Sequence, residues 1–268
     1  MEFYKYSGSG NDFIVIDNRK KILKGKKVFS FTKEICNRKE GVGADGVLLV
    51  ENSSKADFKM RIINADGSEA EMCGNGARCI AAFAYNDLKI VKKDMKFETL
   101  AGIISGTIKK NSVKVKLTKP FDLKKDIQIK YKGKKFNLFF LNTGVPHAVL
   151  FFNDISRINV KDMGSFIRYH KTFAPAGTNV NFVQIIDKHY ILVRTYERGV
   201  EDETLACGTG STASAILSSI VKGTESPVKI KTTGGEILKV YFSINNNDIL
   251  EAYLEGKVRK IFRGVYYI

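Results

Sequence analysis

The sequence predicts an α+β fold of two similar lobes, each a curved, mostly antiparallel sheet or barrel around a central buried helix, with an active site in the cleft between them. The chain has 268 residues, of which 44% are hydrophobic and 27% charged, as in ordinary globular proteins. That length suits one large core or two smaller ones. The tetrapeptide Cys-Gly-x-Gly indicates two cores, because it occurs twice. Its cysteines, Cys73 and Cys207, are 134 residues apart, which is half the chain length.

Further segments repeat at nearly the same spacing, which supports two lobes that arose by duplication. The repeated segments are of three kinds. One is a strand-like run that ends in a polar residue, another is a turn that contains Gly, and the third is a short polar stretch before an apolar run. The matching pairs are 59–64 with 193–197, 99–102 with 232–235, and 7–8 with 143–144. The first pair aligns Arg61 with Arg194, and it also aligns Asn64 with Glu197 at the strand ends.

Each Cys-Gly-x-Gly opens a segment that is predicted to be a helix, at 77–85 and at 211–220. Both segments are apolar or small nearly all round, and a helix without a polar face is a buried one. Most of the rest of each half has strand-like patterns, so each half predicts a sheet around one helix. The turn-like stretch at 117–122 places the lobe boundary, giving 1–118 and 119–258.

Composition excludes several classes of protein. The net charge is +16, but 34 of the 44 basic residues are Lys and they are scattered, which indicates a solvated surface and no nucleic-acid site. Such a surface can steer acidic small molecules toward the protein. The chain has neither an apolar run long enough to span a membrane nor a secretory signal, so we expect a cytoplasmic protein whose four cysteines are thiols.

A cysteine at a helix start has chemistry that a core cysteine lacks. The first N–H groups of a helix are unpaired and carry the positive end of the helix dipole, so they bind anions such as a carboxylate. The same position stabilises a thiolate and lowers its pKa toward the range useful for proton transfer. We therefore expect Gly74-Asn75 and Gly208-Thr209 to hold a carboxylate beside Cys73 and Cys207.

Two such half-sites that face one substrate would invert a stereocentre. One thiolate removes the α-proton from one face, and a thiol on the opposite face returns a proton, whereas a single group tends to return it to the original face. The helix starts stabilise the carbanion through the carboxylate. This chemistry requires neither a metal nor pyridoxal phosphate, and we expect no cofactor.

Polar residues in turns and at strand ends complete the predicted site. Together they supply acceptors for an ammonium group and donors for a second carboxylate, as a dipolar amino acid needs. They are Asn11, Asn64, His147, Asn179, Glu197 and Arg198. Taken singly, most such residues are turns or helix caps.

The remaining cysteines have a simpler interpretation. Cys36 and Cys79 lack the shared glycine context, and such cysteines are commonly small core residues. A zinc site is disfavoured because the cysteine spacing is wrong and the chain has only three His. No glycine-rich phosphate-binding loop occurs at these positions.

The chain as a whole resembles the diaminopimelate epimerases, cofactor-independent enzymes that interconvert LL- and meso-diaminopimelate. The matching motifs run in family order from residue 8 to residue 210. They are Gly8-Ser9-Gly10-Asn11-Asp12-Phe13, Asn64-Ala65-Asp66-Gly67-Ser68, Met72-Cys73-Gly74-Asn75-Gly76-Ala77-Arg78, Pro146-His147, Gly177-Thr178-Asn179-Val180-Asn181-Phe182, Tyr196-Glu197-Arg198-Gly199 and Ala206-Cys207-Gly208-Thr209-Gly210.

The resemblance implies an epimerase of lysine and cell-wall precursor biosynthesis with Cys73 and Cys207 as the proton-transferring pair. It assigns the substrate amino group to Glu197 and His147. It also implies that the rest of the substrate is held by Asn11, Asn64, Asn179 and Arg198.

The resemblance further implies a homodimer and a last strand, at 259–268, that returns to the N-terminal lobe. Two positions depart from the commonest family pattern. Val145 stands before Pro146-His147 where an Asn is frequent, and Gly46 follows Asp45 where a Gln is frequent. Neither position takes part in proton transfer, but a lost hydrogen bond to a charged group can matter by about 1.5 to 3 kcal/mol.

Other functions stay open at this point. A histidine-type racemase could keep both thiols and differ only in the distal pocket, whereas proline-type racemases usually carry His where this chain has Asn75. A binding protein for a dipolar metabolite would use the same helix starts without turnover, and an isomerase of another carboxylate is a further alternative. Substrate preference separates these alternatives.

Overall fold

A computed structural model describes residues 1–246 and 248–267 of the chain. It is built mainly of strands, with four α-helices and one short 3₁₀ helix in the described part of the chain. Among the described residues, no helix has both the length and the apolar character that crossing a bilayer requires.

The chain divides into two compact units. The first consists of Met1–Lys116 together with the C-terminal residues from Glu255, and the second is Leu117–Leu254. The boundaries expected from the sequence, after residues 118 and 258, are two and four residues further along the chain. The second boundary lies within one continuous strand, so no turn in the sequence marks it.

The first unit alternates short strands with two helices. Its elements in chain order are β1 (Glu2–Gly8), β2 (Asn11–Asp17), α1 (Lys27–Cys36), β3 (Gly46–Glu51), β4 (Phe58–Asn64), β5 (Glu69–Ala70), α2 (Gly74–Asn86), β6 (Asp94–Thr99), β7 (Gly102–Ile108) and β8 (Ser112–Lys116). Most neighbouring strands pair antiparallel, but β2 with β3 and β4 with β6 pair parallel. A helix joins the strands of each parallel pair, as parallel crossovers require.

The second unit repeats this order of elements. They are β9 (Phe121–Tyr131), β10 (Lys134–Asn142), β11 (Pro146–Phe151), α3 (Val160–Arg168), the 3₁₀ helix Lys171–Phe173, β12 (Asn179–Asp187), β13 (Tyr190–Glu197), β14 (Asp202–Thr204), α4 (Gly208–Lys222), β15 (Val228–Lys231), β16 (Ile237–Asn245) and β17 (Asp248–Lys257). Here β11 with β12 and β13 with β15 are the parallel pairs. The duplicated order of elements is the two-lobe α+β fold that the sequence predicts.

The last strand, β18 (Arg259–Val265), belongs to the first unit. It pairs antiparallel with β1, so that Glu2 lies opposite Val265. Ile268, with which the strand predicted at 259–268 ends, lies outside the described residues.

Helices α2 and α4 are the buried central helices of their units. Every residue of α2 from Gly74 to Ala84 is buried, and α4 is buried on nearly all sides from Gly210 to Ser218. Both extend beyond the predicted helices, because the glycines of each Cys-Gly-x-Gly form the first turn. A helix surrounded by sheet on all sides has no polar face, which is why the sequence pattern identified both.

The structure adds a second, peripheral helix to each unit beside the predicted central one, α1 in the first unit and α3 in the second. Helix α3 buries Val160, Met163, Gly164 and Ile167, the spacing of one apolar helix face. Its start is capped by Asn159, whose Oδ1 accepts from the Asp162 N–H at 3.0 Å. The apolar spacing and the Asn cap are both visible in the sequence, but a helix of nine residues gives only a weak periodic pattern.

The aligned arginines of the two halves occupy equivalent positions. Arg61 on β4 donates two hydrogen bonds to the Glu69 carboxylate on β5, at 2.7 and 3.0 Å. Arg194 on β13 does the same to Glu203 on β14, at 2.8 and 2.7 Å. In each unit this pair ties together the two strands that lead to the Cys-Gly-x-Gly helix.

Candidate active site

Both predicted catalytic cysteines are the N-cap residues of their helices. Cys73 precedes α2 in extended backbone, and the Gly76 N–H donates to its Sγ at 3.4 Å. Cys207 precedes α4 in the same conformation, and the Gly210 N–H donates to its Sγ, also at 3.4 Å. Each sulfur therefore takes the place of the oxygen that normally caps a helix start.

The remaining two cysteines lie inside helices, Cys36 at the end of α1 and Cys79 within α2, and both are buried core residues, as the sequence predicts. Cys73 is half-buried, and Cys207 is buried at 8% exposure. Burial raises the pKa of the Cys36 thiol to about 12, so that thiol carries no charge near neutrality. Helix-start geometry is thus confined, among the four, to Cys73 and Cys207.

In the first unit, Asn11 and Asn75 form one hydrogen-bonded pair. The Asn75 Nδ2 donates to Asn11 Oδ1 at 2.6 Å, and the Asn11 Nδ2 donates to Asp45 Oδ2 at 3.1 Å. Asn75 is 4% exposed at the start of α2. Two of the predicted substrate-binding residues are therefore brought together beside Cys73.

Asn64 is placed differently. Its side chain is exposed at the end of β4, and its Nδ2 donates to Ser68 Oγ at 3.0 Å. Opposite it on β3 lies Gly46. A Cβ at Gly46 would approach the Ile63 carbonyl oxygen to 2.6 Å, so the local backbone admits only glycine here without a shift.

In the second unit, Asn179 holds two backbone segments. Its Oδ1 accepts from the Arg198 N–H at 2.8 Å, and its Nδ2 donates to the Pro146 carbonyl at 3.1 Å. The Arg198 Nη1 donates to the Ala176 carbonyl at 3.1 Å, and the side chain is half-buried. Asn179 thus sets the backbone position of Arg198.

Glu197 and Thr209 are further predicted site residues of the second unit. Glu197 ends β13, and Thr209 is two residues after Cys207. Burial raises the pKa of the half-buried Glu197, and the hydrogen bond from Thr204, at 3.0 Å, opposes that shift. Thr209 Oγ1 lies 3.4 Å from Cys207 Sγ, within hydrogen-bonding distance of sulfur. A half-buried carboxylate here is suited to hold an ammonium group.

His147 is completely buried at the start of β11. Asn181 Nδ2 lies 3.1 Å from His147 Nδ1 and also donates to the Ala148 carbonyl at 3.1 Å, so Nδ1 is the acceptor and the proton sits on Nε2. Burial, with a smaller effect of the Arg198 charge, lowers the pKa of His147 to about 3. His147 is therefore neutral at physiological pH.

This neutral histidine makes a testable contribution to acid sensitivity. The unfolded chain binds a proton at His147 below about pH 6.5 and the folded chain does not, so stability falls with decreasing pH from about 6.5 toward 3. We expect the unfolding free energy of a His147→Gln variant to fall by about 2 kcal/mol less than that of the wild type between pH 7 and pH 5. Urea denaturation at both pH values measures this, and equal losses in the two proteins would contradict it.

Two buried polar residues next to this site, Asn181 and Arg78, are not among the site residues predicted from the sequence. Asn181 is two residues after Asn179 on β12, and alternate residues of a strand share a face. Arg78 is a charged residue in the otherwise apolar helix α2. A polar residue inside an apolar pattern was the available signal in both cases.

No cluster of three or more His, Cys, Asp or Glu side chains within residues 1–246 and 248–267 is arranged to hold a metal ion. The polar groups described above are amides, carboxylates and helix N–H groups. They suit a dipolar organic ligand better than a cation.

Comparison with known proteins assigns the chain to a family. The family model described as diaminopimelate epimerase matches residues 3–121 and 139–261. The diaminopimelate epimerase of Aquifex aeolicus is 46% identical over 276 residues, which cover 98% of this chain and 97% of that protein. That of Hydrogenobaculum sp. is also 46% identical, covering 99% and 98%.

Solved structures with little sequence identity share the fold. A Bacillus anthracis phenazine biosynthesis protein of the PhzF family has a TM-score of 0.78 at 15% identity and covers 100% of this chain and 99% of its own. A hydroxyproline epimerase from Agrobacterium vitis has a TM-score of 0.71 at 14% identity and covers 98% and 91%. The family model and the full-length relatives together show that the chain belongs to the diaminopimelate epimerase family.

Proposed function

We propose that this chain interconverts LL- and meso-diaminopimelate, and that Cys73 and Cys207 are its catalytic acid–base pair. The supporting observation is the duplicated helix start. Each cysteine caps a buried helix, accepts from the third N–H of that helix at the same 3.4 Å, and is followed by unpaired N–H groups of the first turn. Membership of the diaminopimelate epimerase family supports diaminopimelate as the substrate.

In the proposed reaction, the α-carboxylate is held by the N–H groups of Gly74-Asn75 and Gly208-Thr209. One cysteine, as thiolate, takes the α-proton, so that the C–H bond breaks, an S–H bond forms and the electron pair delocalises into the carboxylate. The other cysteine, as thiol, gives its proton to the opposite face of the carbon. The two helix dipoles stabilise the added negative charge of the intermediate.

The amino group and the distal end of the substrate are assigned to side chains. We propose that the Glu197 carboxylate supplies the charge that holds the α-ammonium group, with neutral His147 as a hydrogen-bonding neighbour. Arg198 takes the distal carboxylate from the backbone position that Asn179 sets. Asn11 and Asn64 are the remaining substrate-binding residues of the proposal.

A histidine-type racemase is the second candidate, because the chain lacks amide side chains at two positions where the family frequently has them. Gly46 has no side chain where a Gln is frequent, and a Cβ there would lie 2.6 Å from the Ile63 carbonyl oxygen. Val145 likewise offers no amide side chain. The distal pocket therefore decides between the two substrates, while both candidates use the same pair of thiols.

Proton exchange in D₂O tests the proposal directly. Reduced protein is incubated separately with LL-diaminopimelate, L-histidine and L-proline, and α-deuteration is followed by NMR. Deuterium entering only diaminopimelate, with appearance of the meso isomer, is the expected result. Exchange only into histidine would move the assignment to the second candidate, and exchange into none would leave a binding protein.

Oxidation tests whether the two thiols act at one site. If both flank one α-carbon, mild oxidation should join Cys73 to Cys207, abolish activity and be reversed by dithiothreitol. Peptide mapping under non-reducing conditions identifies the pair, and a Cys36→Ala variant should behave as the wild type. Loss of activity with both thiols unlinked would contradict a shared site.

We further propose that the protein acts as a homodimer in the cytoplasm. The family resemblance supports the dimer, and a reaction that needs two reduced thiols supports a reducing compartment. Light scattering on a size-exclusion column gives the mass in solution, for which two chains of 30.0 kDa are expected. A mass of one chain would contradict the dimer.

A further inference from the structure

Arg78 is a charged side chain in the interior of the first unit. It lies in the second turn of α2, is 0% exposed and is among the largest side chains that are completely buried. Burying a guanidinium is costly unless its donors are well satisfied. A charge at this place in an otherwise apolar helix therefore calls for a functional explanation.

The guanidinium is held at the start of its own helix. Its Nη2 donates to Ser9 Oγ at 2.5 Å and to Asn75 Oδ1 at 2.8 Å, and its Nη1 lies 3.4 Å from the Gly74 carbonyl oxygen. All three acceptors are neutral oxygens. Two belong to the residues that directly follow Cys73, so the positive charge lies against the first turn of the helix that Cys73 caps.

The same guanidinium is one end of a directional chain of hydrogen bonds. Asn75 accepts from Arg78 and donates to Asn11, which in turn donates to the Asp45 carboxylate. An amide has a donor end and an acceptor end, so a donor at one end of the chain and a carboxylate at the other fix both orientations. Arg38 donates to the far oxygen of Asp45 at 2.7 Å and anchors that end.

The second unit lacks this charge. The residue 134 positions after Arg78 is Thr212 on α4, and its Oγ1 donates to the Gly208 carbonyl at 2.9 Å. Thr212 therefore makes the contact with the first helical carbonyl that Arg78 makes in α2, but it brings no charge. The two proposed catalytic cysteines, alike in capping geometry, differ in this electrostatic setting.

We propose that Arg78 is a positioning residue with two effects: it fixes the amide orientations of Asn75 and Asn11, and its charge favours the thiolate at Cys73. An opposite charge close to an ionisable group favours the charged form of that group. The first effect bears on the proposed function, because Asn75 and Asn11 belong to its substrate site. The second is a property of the free enzyme and can be measured without substrate.

Other ionisable groups of the first unit lie on the elements packed around α2. Lys5 on β1, Asp12 on β2, and Arg38 and Asp45 before β3 form one ion-pair cluster, whose Asp45 accepts from Asn11. Tyr6 lies at the other end of α2, where its hydroxyl donates to Asp87, and Cys79 is buried within the helix. Burial raises the pKa of Tyr6, and Arg38 and Lys5 outweigh burial to lower that of Asp12. These groups are the same in all the variants below, so differences among the variants report on Arg78.

The charge effect is tested by alkylation in a Cys207→Ser background. In this background, proteins with Arg78, Arg78→Lys or Arg78→Met are treated with iodoacetamide over a range of pH. Mass spectrometry of peptides gives the modification rate of Cys73 apart from the other thiols, and the pH at which this rate is half its maximum is the midpoint. We expect the midpoint to rise by about one pH unit with Met and to stay near the original value with Lys. Equal midpoints in all three folded proteins would overturn the charge effect.

Three further measurements accompany the alkylation test, so that it does not depend on one variant that folds. Circular dichroism checks each protein, and Thr212→Val is the matched control at the equivalent helix position, expected to leave the Cys73 midpoint unchanged. The third measurement uses proteins that keep Arg78. The alkylation midpoint of Cys73, measured in the Cys207→Ser variant, should lie below the midpoint of Cys207, measured in the Cys73→Ser variant. The reverse order would contradict the proposal even if Arg78→Met does not fold.

The orientation effect is tested by kinetics in the otherwise native enzyme. Lysine keeps the charge but cannot reach two acceptors with a planar fork. Arg78→Lys should therefore raise KM about tenfold or more while the acidic limb of the kcat/KM profile stays in place. An unchanged KM would overturn this effect, whereas absence of epimerase activity in the wild type would refute the proposed function and leave the alkylation result standing.

Discussion

Replacing Cys73 or Cys207 by alanine is expected to lower kcat for LL-to-meso conversion by about 10³-fold or more. Inversion needs a base on one face of the α-carbon and an acid on the other, and alanine removes one of them. The NMR assay in D₂O separates inversion from exchange. A remaining thiolate can still exchange a proton on its own face, so inversion should be lost more completely than exchange.

Cys79→Ala is the matched control for this experiment. Cys79 lies in the same helix as the cap residue Cys73, six positions further on, and is completely buried. Its replacement removes a sulfur from the core and costs some stability, but it should leave most of the activity. Substantial turnover by either cap variant would refute the two-base mechanism.

Gly210→Ala is expected to reduce kcat/KM about 100-fold. A Cβ at Gly210 would lie 2.3 Å from Asn181 Oδ1, so one of the two must move. Asn181 is completely buried and cannot move alone, because Thr195 Oγ1 donates to its Oδ1 at 2.9 Å and its Nδ2 bonds His147 and the Ala148 carbonyl. We expect a shift of Asn181 to move His147, and a shift of residue 210 to disturb the hydrogen bond from its N–H to Cys207 Sγ.

Gly76→Ala is the equivalent change in the first unit and the control for Gly210→Ala. A Cβ there would meet only the tips of flexible side chains, the nearest being Leu48 Cδ2 at 3.2 Å. Alanine keeps the N–H that donates to the cysteine in both variants, and it favours the helix by up to about 1 kcal/mol. We expect a loss of less than about tenfold in kcat/KM, measured in the same assay. Similar losses in the two variants would show that Asn181 is not the cause.

The substitutions at these two glycines show why equivalent sequence positions differ in effect. Both glycines are the fourth residue of the same Cys-Gly-x-Gly pattern, and no feature of that pattern separates them. The difference lies in what faces them: apolar side chains from β3 and β4 at Gly76, and a hydrogen-bonded amide from β12 at Gly210. Contacts of this kind are formed by segments distant in sequence.

Much of the site was nevertheless predictable from local pattern. A cysteine followed by Gly-x-Gly and an apolar segment predicts a capped, buried helix start, and the repeat at 134 residues predicts two of them. Helices α2 and α4 confirm both. The short amphipathic helix α3 was missed although Asn159 and the spacing from Val160 to Ile167 indicate it, because nine residues give a weak periodic signal.

The sequence by itself determined the two-lobe α+β fold, the family and the pair of helix-capping cysteines, because these follow from short local patterns and their duplication. The tertiary structure alone decided the protonation of His147, the fixed orientations of Asn75 and Asn11, and the burial of the Arg78 charge. Each depends on partners such as Asn181, Asp45 and Ser9, which reach these residues only after distant strands pair. Hydrogen-bond direction and desolvation are properties of that assembled environment, and no local pattern in the sequence carries them.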